Sequence, residues 1–327
     1  MKRRPDIAFI STIHAPFIQE DVDFLRSHFE VRVRIGHGFF ALVKIIWVVL
    51  RSDIVFCWFA SVYASVAVMV ARRFGVKSCI VIGGVDVAKD EKLHYGIWTS
   101  PWKARMVRYA LQKANRVLAV DPSLKEEAAR LAGYDGENIS YLPTGYDCEF
   151  WKLAGVKVPL VLCVAGAPDG IRSKIKGLDL LVEASRSLPD VKFILVGVSS
   201  VVSSSLGGGS NVIIHPYMER RRLLPYYQHA KIYCQPSRRE GLSNALCEAM
   251  LCGCIPVATE VGGNRTAIGD AGLLVPPDDV TALTDALRRA VLMDESAGLK
   301  ARARVVALFP REKRNRELLR VIEETVE

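Results

Sequence analysis

The sequence has no pair of cysteines spaced C-x-x-C and no Cys/His group at zinc-finger spacing, although it holds eight cysteines. A structural zinc site and a thioredoxin-like redox pair are thereby excluded. Most of the thiols (Cys57, Cys79, Cys163, Cys234) lie in apolar runs, where cysteine packs as a small hydrophobe, so reduced cytoplasmic thiols are expected. No strand leads into a G-x-G-x-x-G turn, which argues against a nicotinamide dehydrogenase. There is no Lys/Arg-rich tail and no aromatic–basic repeat. The net charge of +9 therefore points to nucleotides or anionic lipid surfaces rather than to nucleic acid. Asn and Gln are sparse, which is compatible with a hot habitat. The opening Met1-Lys2-Arg3-Arg4 runs into a short strand rather than an apolar core with a cleavage site, so no secretory leader is expected.

Two apolar stretches decide whether lipid is involved. The run 54–71 is uncharged and long enough to be weighed as a membrane span. It divides instead into a bulky strand, 54–59, and a small-residue helix that stops at Arg72-Arg73 before Gly75. The stretch 39–50 is apolar nearly all round, interrupted only by Ala41 and Lys44. It is either a deeply buried helix or one that touches a membrane. Burial is the favoured reading, because hydrophobic helices are common in large cores. Arg220-Arg221-Arg222 reads as a solvated helix start, and Asp21-Val22-Asp23, on a predicted helix rather than after a strand, as surface charge.

What the chain does contain is a regular alternation of strand and helix. Its 327 residues, 50% hydrophobic and 24% charged, suit two globular domains. Strands are predicted at 6–11, 31–35, 54–59, 78–82, 116–120 and 139–142. Helices lie between them near 19–28, 39–50, 60–74, 101–114 and 123–132. The pattern restarts with strands at 160–165, 191–196, 212–215, 231–234, 255–259 and 273–275. Its helices are 177–187, 221–229, 244–252, 280–293 and a charged one from Arg311. Such alternation implies α/β architecture with parallel sheets. The expectation is two doubly wound Rossmann-like domains, 1–152 and 153–310, facing a central cleft, with 311–327 returning to the first. The Ser/Gly-rich stretch 203–210 reads as a mobile loop.

The chemistry concentrates in 234–250. Glu240 precedes a Gly241-Leu242-Ser243 loop, and Glu248 lies in the helix that the loop opens. Ser243 is a natural N-cap, and Gly253 a natural stop beyond the helix end. The helix start then offers unpaired N–H groups and a positive dipole end to a diphosphate. Glu248, in the second turn, reaches hydroxyls such as those of a ribose, and Glu240 reaches whatever is attached to the far phosphate. A strand–loop–helix–strand unit puts this loop at the carboxyl end of a parallel sheet, where such folds bind ligands.

These residues resemble the retaining glycosyltransferases of family 4, the glycosyl transferases group 1, which have the two-Rossmann GT-B architecture. The matching stretches are 120–127, 142–147, Lys176-Gly177-Leu178-Asp179-Leu180-Leu181, and Pro236 through Pro277, the last including Glu240-Gly241-Leu242-Ser243-Asn244-Ala245 and Ala267 through Pro277. The resemblance implies that the second domain binds a nucleotide-diphosphate sugar. Glu248 would hold the ribose and Glu240 the transferred sugar. The amides of Gly241, Leu242 and Ser243 would hold the distal phosphate, and Lys176 would neutralise the leaving diphosphate. Retaining transfer of this kind looks like a front-face displacement that needs no metal and no cofactor beyond its substrate.

Three departures qualify the match. The family's arginine after the first-strand glycine is absent, since Ala167 follows Gly166; Arg172 is the nearest substitute and Lys174 a weaker one. The first loop reads Ser11-Thr12-Ile13-His14 where a Gly-Gly pair is usual. The turn after the fourth strand is Gly83-Gly84-Val85-Asp86, without the family's histidine. His14 and Asp86 are candidates on the acceptor side, against the plain readings of a packed histidine and a turn aspartate. Gly197 is a candidate close-approach glycine under the nucleotide, and Tyr217 and Met218 are candidates to flank the base.

The function expected is cytoplasmic, metal-independent transfer of a hexose from a nucleotide-diphosphate sugar to a glycan, lipid-linked or metabolite acceptor. Peripheral contact with the inner face of a membrane through 39–50 belongs to the same expectation. An epimerase of the same fold and a non-catalytic sugar-nucleotide-binding subunit are the alternatives.

Overall fold

The computed structural model describes residues 4–327. The chain forms two compact units, one of Met1–Thr144 with Glu312–Glu327 and one of Gly145–Arg311. The boundary was expected at 152/153, within an irregular stretch. It falls at Thr144/Gly145, because Tyr146 pairs with Pro310 in an isolated bridge and so belongs to the second unit.

The first unit runs β1 (Asp6–Ser11), α1 (Pro16–Arg26), β2 (Glu30–Ile35), α2 (Phe39–Val49), β3 (Ile54–Trp58), α3 (Val62–Phe74), β4 (Lys77–Ile82), α4 (Pro101–Lys113), β5 (Arg116–Ala119), α5 (Pro122–Ala132) and β6 (Ile139–Tyr141). All its strand pairs are parallel, in the order β2-β1-β3-β4-β5-β6. The central strands β3 and β4 are buried, mainly apolar runs, apart from Lys77 at the start of β4, as sheets covered on both faces require. Local signals set the helix ends. The Ser61 hydroxyl accepts from the N–H of Ala64 at the start of α3, and Gly75 ends it at φ +75°.

The second unit runs β7 (Val158–Ala167), α6 (Gly170–Ile175), α7 (Leu178–Arg186), β8 (Lys192–Val198), α8 (Ser200–Leu206), β9 (Val212–His215), α9 (Arg220–His229), β10 (Ala230–Gln235), α10 (Asn244–Leu251), β11 (Ile255–Thr259), α11 (Gly263–Ile268), β12 (Leu273–Val275), α12 (Val280–Leu292) and α13 (Glu295–Leu308). Its parallel sheet has the order β12-β11-β10-β7-β8-β9. The strand order therefore reverses between β7 and β10, and in doubly wound sheets ligands bind at the carboxyl ends of such a pair. The expected loop at 203–210 is partly the helix α8, whose N-cap Ser199 accepts from the N–H of Val202.

The last helix, α14 (Arg311–Val326), lies with the first unit from Glu312 onward. The Arg314 guanidinium donates to both carboxylate oxygens of Asp21, at 3.0 and 2.6 Å, and Trp58 Nε1 donates to the same carboxylate at 2.8 Å. Asp21 and Arg314 are both buried. This corrects the reading of Asp21-Val22-Asp23 as surface charge: Asp23 is exposed, but Asp21 is an interior anion with its cation on a distant helix.

A second correction concerns α2. Ile45, Val48 and Val49 face inward, but Phe39, Phe40, Val43, Ile46 and Trp47 are exposed, as is Leu50 just past its end. The helix covers the core with one face only. Among the described residues no helix is long and apolar enough to cross a membrane.

Candidate active site

The loop from Pro236 to Ser243 leaves β10 on one side of the strand reversal, and the segment from Pro168 to Lys176 leaves β7 on the other. Lys176 is the residue at which α6 ends, and Gly177 turns the chain into α7 at φ +67°. A Cβ at Gly177 would stand 1.9 Å from the Pro236 carbonyl oxygen. Only glycine lets this corner close against the exit of β10. That closure brings Lys176 Nζ to both oxygens of Glu240, at 3.0 and 2.8 Å.

Glu240 is fixed from the other side by a buried polar network. Ser237 Oγ donates to Glu240 Oε2 at 2.9 Å, and Gln235 Nε2 donates to the same oxygen at 3.3 Å. The remaining bonds of the Gln235 amide go to Ser237 (2.7 Å), Tyr233 (2.9 Å) and Ser243 (3.0 Å). Gln235 is 1% exposed, and its amide makes these four bonds, as a buried amide must to avoid a desolvation cost. The sequence reading passed over Gln235. Its one signal was a long polar side chain ending an apolar strand.

Ser243 caps α10 as expected: its hydroxyl accepts from the N–H of Leu246 at 3.4 Å while donating to Gln235. Among the described residues the N–H groups of Gly241, Leu242 and Ser243 have no protein acceptor. They sit at the positive end of an eight-residue helix. The loop is backed by a Gly-Gly pair that the sequence reading did not single out. Gly263 donates its N–H to the Gly241 carbonyl at 2.9 Å, and a Cβ at Gly262 would stand 2.0 Å from the Glu240 carbonyl oxygen. Two adjacent glycines just after a strand were the available signal.

Glu248, on the second turn of α10, is buried. Arg220, the first residue of α9, reaches it at 2.9 Å, and the Tyr227 hydroxyl donates to it at 3.3 Å. The Arg220-Arg221-Arg222 run is therefore not merely a solvated helix start; its first member is the partner of a buried carboxylate. Burial, with the Glu248 carboxylate next in effect, pushes the Tyr227 phenol well above its usual range.

The other candidates are placed as follows. Arg172 is half-buried on α6, one turn before Lys176, and Lys174 is exposed. Gly166 is exposed within β7, where the register with β8 shifts between Val164 and Ala167. Gly197 is a close-approach glycine, at φ +88°, but what it approaches is the Ala165 carbonyl oxygen, 2.2 Å from where its Cβ would be. Tyr217 is exposed and Met218 half-buried, both in the segment between β9 and α9.

In the first unit, His14 is exposed in the loop between β1 and α1, which corrects the reading of a packed histidine. Asp86 is 2% exposed. Its carboxylate accepts from the N–H groups of Ala60 (3.0 Å), Gly83 (3.1 Å) and Gly84 (2.8 Å). These bonds hold two loops together. Burial raises its pKa to about 6 even against those bonds. Among the described residues no cluster of three or more His, Cys, Asp or Glu side chains is arranged to hold a metal.

Two parallel six-stranded α/β units, with an anion-directed helix start beside a Lys–Glu pair, define a Rossmann-like protein of the GT-B class. Solved structures with this fold include sucrose-phosphate synthase from Thermosynechococcus elongatus (TM-score 0.79, 18% identity, 98% of this chain and 99% of that one). Another is Anabaena HepE in complex with UDP and glucose (TM-score 0.79, 16% identity, 98% and 100%). Residues 159–292 match the family described as glycosyl transferases group 1, and residues 22–150 match Glycosyltransferase Family 4. The chain belongs to these group 1, family 4 glycosyltransferases.

Its relatives include a D-inositol 3-phosphate glycosyltransferase of Xylanimonas cellulosilytica, 31% identical over 225 residues, covering 58% of this chain and 52% of that protein. The putative teichuronic acid biosynthesis glycosyltransferase TuaC of Bacillus subtilis is 27% identical over 253 residues, covering 73% and 61%. The matched part of the chain thus spans 52% and 61% of the length of these two curated relatives.

Proposed function

We propose that the protein is a retaining glycosyltransferase that moves a hexose from a nucleotide-diphosphate sugar to a glycan, lipid-linked or metabolite acceptor. The observation that carries this is the convergence of Lys176, Glu240 and the unpaired 241–243 amides on the carboxyl end of β10. A diphosphate laid on those amides exchanges its negative charge for the dipole end of α10. Lys176 then divides its protons between Glu240 and the phosphate. As the bond from the sugar's anomeric carbon to the phosphate oxygen breaks, electron density collects on that oxygen. The amides and the lysine are already aimed at it, so little reorganisation is needed. Glu240, held by Ser237, Gln235 and Lys176, presents a fixed acceptor to the sugar's hydroxyls. In front-face displacement the acceptor oxygen enters on the side the leaving phosphate quits and passes its proton to a phosphate oxygen. The anomeric configuration is retained.

Glu248 takes the ribose hydroxyls in this reading, with Arg220 balancing its buried charge. The HepE structure holds UDP and glucose, ligands of the class this reading names. The setting proposed is cytoplasmic. Peripheral contact with a membrane completes the proposal, since α2 keeps an apolar face outward.

The test is donor binding by Glu248→Ala, followed as the thermal shift given by a panel of UDP-, GDP- and ADP-sugars. The wild type should be stabilised by one class, and the variant should fold but lose most of that shift. Equal stabilisation of both would remove the assignment. Conversion of the donor sugar without any acceptor would replace transfer with epimerisation. Binding with neither transfer nor slow donor hydrolysis would leave a non-catalytic subunit.

A further inference from the structure

The outward face of α2 and the turn that follows it is made of Phe39, Phe40, Val43, Lys44, Ile46, Trp47, Leu50 and Arg51. These positions recur with helical spacing and form one continuous stripe. Its six large apolar side chains are each between 39% and 79% exposed. Single exposed hydrophobic residues are ordinary on protein surfaces, but a contiguous band of this kind marks something that covers it. The opposite face of the helix is already anchored by Ile45, Val48 and Val49 in the core. Its start is tied to α3, because the N–H of Gly38 donates to the Tyr63 hydroxyl at 2.6 Å.

The two charges on the stripe itself, Lys44 and Arg51, are both basic. Between residues 31 and 52 there is no acidic side chain, and of the basic ones Arg32 is paired with Asp6 at 3.4 Å, while only Lys44 and Arg51 belong to the stripe. The Arg51 guanidinium lies 3.9 Å from the centroid of the Trp47 ring. An indole with a cation stacked on it suits the boundary between acyl chains and phosphates, where the ring enters the apolar layer and the cation stays with the headgroups. A second copy of the chain fits the same face poorly. An isologous contact would bring Lys44 and Arg51 of one copy toward those of the other, with no carboxylate on the face to receive them.

We infer that α2 docks on an anionic bilayer, lying in the plane of its surface with Phe39, Phe40, Val43, Ile46, Trp47 and Leu50 in the upper acyl layer and Lys44 and Arg51 at the phosphates. This deepens the membrane half of the proposed function, and it does not depend on the transfer chemistry. Attraction to the surface combines buried apolar area with charge, so neutral lipid should hold the protein much less well.

The experiment is co-sedimentation of the full chain with vesicles of phosphatidylcholine containing about 30% phosphatidylglycerol, against vesicles of phosphatidylcholine alone. Wild type should pellet with the first, and its apparent affinity should fall at least tenfold on the second. Phe40→Ser combined with Trp47→Ser should abolish pelleting. Lys44→Glu combined with Arg51→Glu should remove the preference for anionic lipid. Both double variants should keep the wild-type thermal shift with the donor sugar, which separates failure at this surface from failure of the donor site. Wild type remaining in the supernatant with anionic vesicles would overturn the inference. Equal binding to both vesicle types would overturn its electrostatic part. A dimer in solution that the Phe40/Trp47 variant dissociates would assign the stripe to a second copy instead.

Discussion

Gln235 and Glu240 are joined at 3.3 Å through the amide Nε2, and the same amide accepts the hydroxyl of Ser243 at 3.0 Å. One buried side chain at the end of β10 thus sets both the carboxylate and the helix cap of the proposed donor site. Replacing it by leucine keeps the volume but leaves Ser237, Ser243 and Tyr233 each short of a partner. Gln235→Leu should lower stability by about 1–3 kcal/mol. It should also lower kcat by about tenfold or more, with a smaller change in KM, since Glu240 would lose its orientation rather than its charge. Denaturant melts and steady-state rates on the same preparation check both numbers.

Lys176 has a different role in the proposed mechanism. Its charge faces the carboxylate before the donor arrives and the phosphate afterwards. Lys176→Ala should reduce kcat by roughly 10²–10³, the range typical when a preorganised group facing the developing charge is removed. Lys176→Arg should recover only part of the rate, because a planar fork does not reproduce a compact ammonium. A full-rate alanine variant would show that the pair with Glu240 is structural.

The ion pair of Asp21 with Arg314 makes a stability prediction. Both side chains are 5% exposed. Arg314→Met leaves a carboxylate in the interior with only the Trp58 N–H to face it, and breaking such a pair from one side costs about 3–5 kcal/mol. Adding Asp21→Leu should recover much of that loss, because the uncompensated charge is then gone. Hydrogen exchange resolved by unit should place the whole effect in the first unit.

Asp86 supplies the pH dependence. Its pKa in the fold, about 6, lies above the ordinary 3.8, so the folded state binds this proton more tightly than the unfolded one. Its contribution to stability is therefore most favourable below about pH 4. It falls as pH rises toward 6 and is least favourable above that. A carboxyl carbon titration by NMR should find the midpoint near 6. The stability difference between wild type and Asp86→Asn should shift in the wild type's favour as pH is lowered through this window. A midpoint near 4 would mean that the amides of Ala60, Gly83 and Gly84 outweigh burial.

Much of the second unit was legible because its signals are local. Ser243 caps the helix it was expected to cap, and strands β8 to β12 appear within a residue or two of the apolar runs that announced them. Lys176 and Glu240 were both named from the sequence as site residues, although 64 positions separate them. What remained hidden were partnerships with no local trace. Arg220 looked like one of three solvated arginines because nothing near it says that Glu248 lies within reach, 28 residues later. Asp21 looked like surface charge because its cation is 293 residues away. The helix α2 was read as buried because composition reports how apolar a segment is, not what lies against its second face. Asp86 shows a similar limit: nothing in its residue type or position announces the backbone N–H groups from two loops that its oxygens accept from.

The return of α14 to the first unit has a consequence for the order of assembly. During synthesis the whole of the second unit leaves the ribosome before Arg314 exists to meet Asp21. The earlier-made half must therefore wait, with an unmatched interior anion, while the later-made half closes around its own sheet. A fragment ending at Thr144 should need rescue by a separately supplied peptide bearing Arg314, whereas 145–311 should fold unaided.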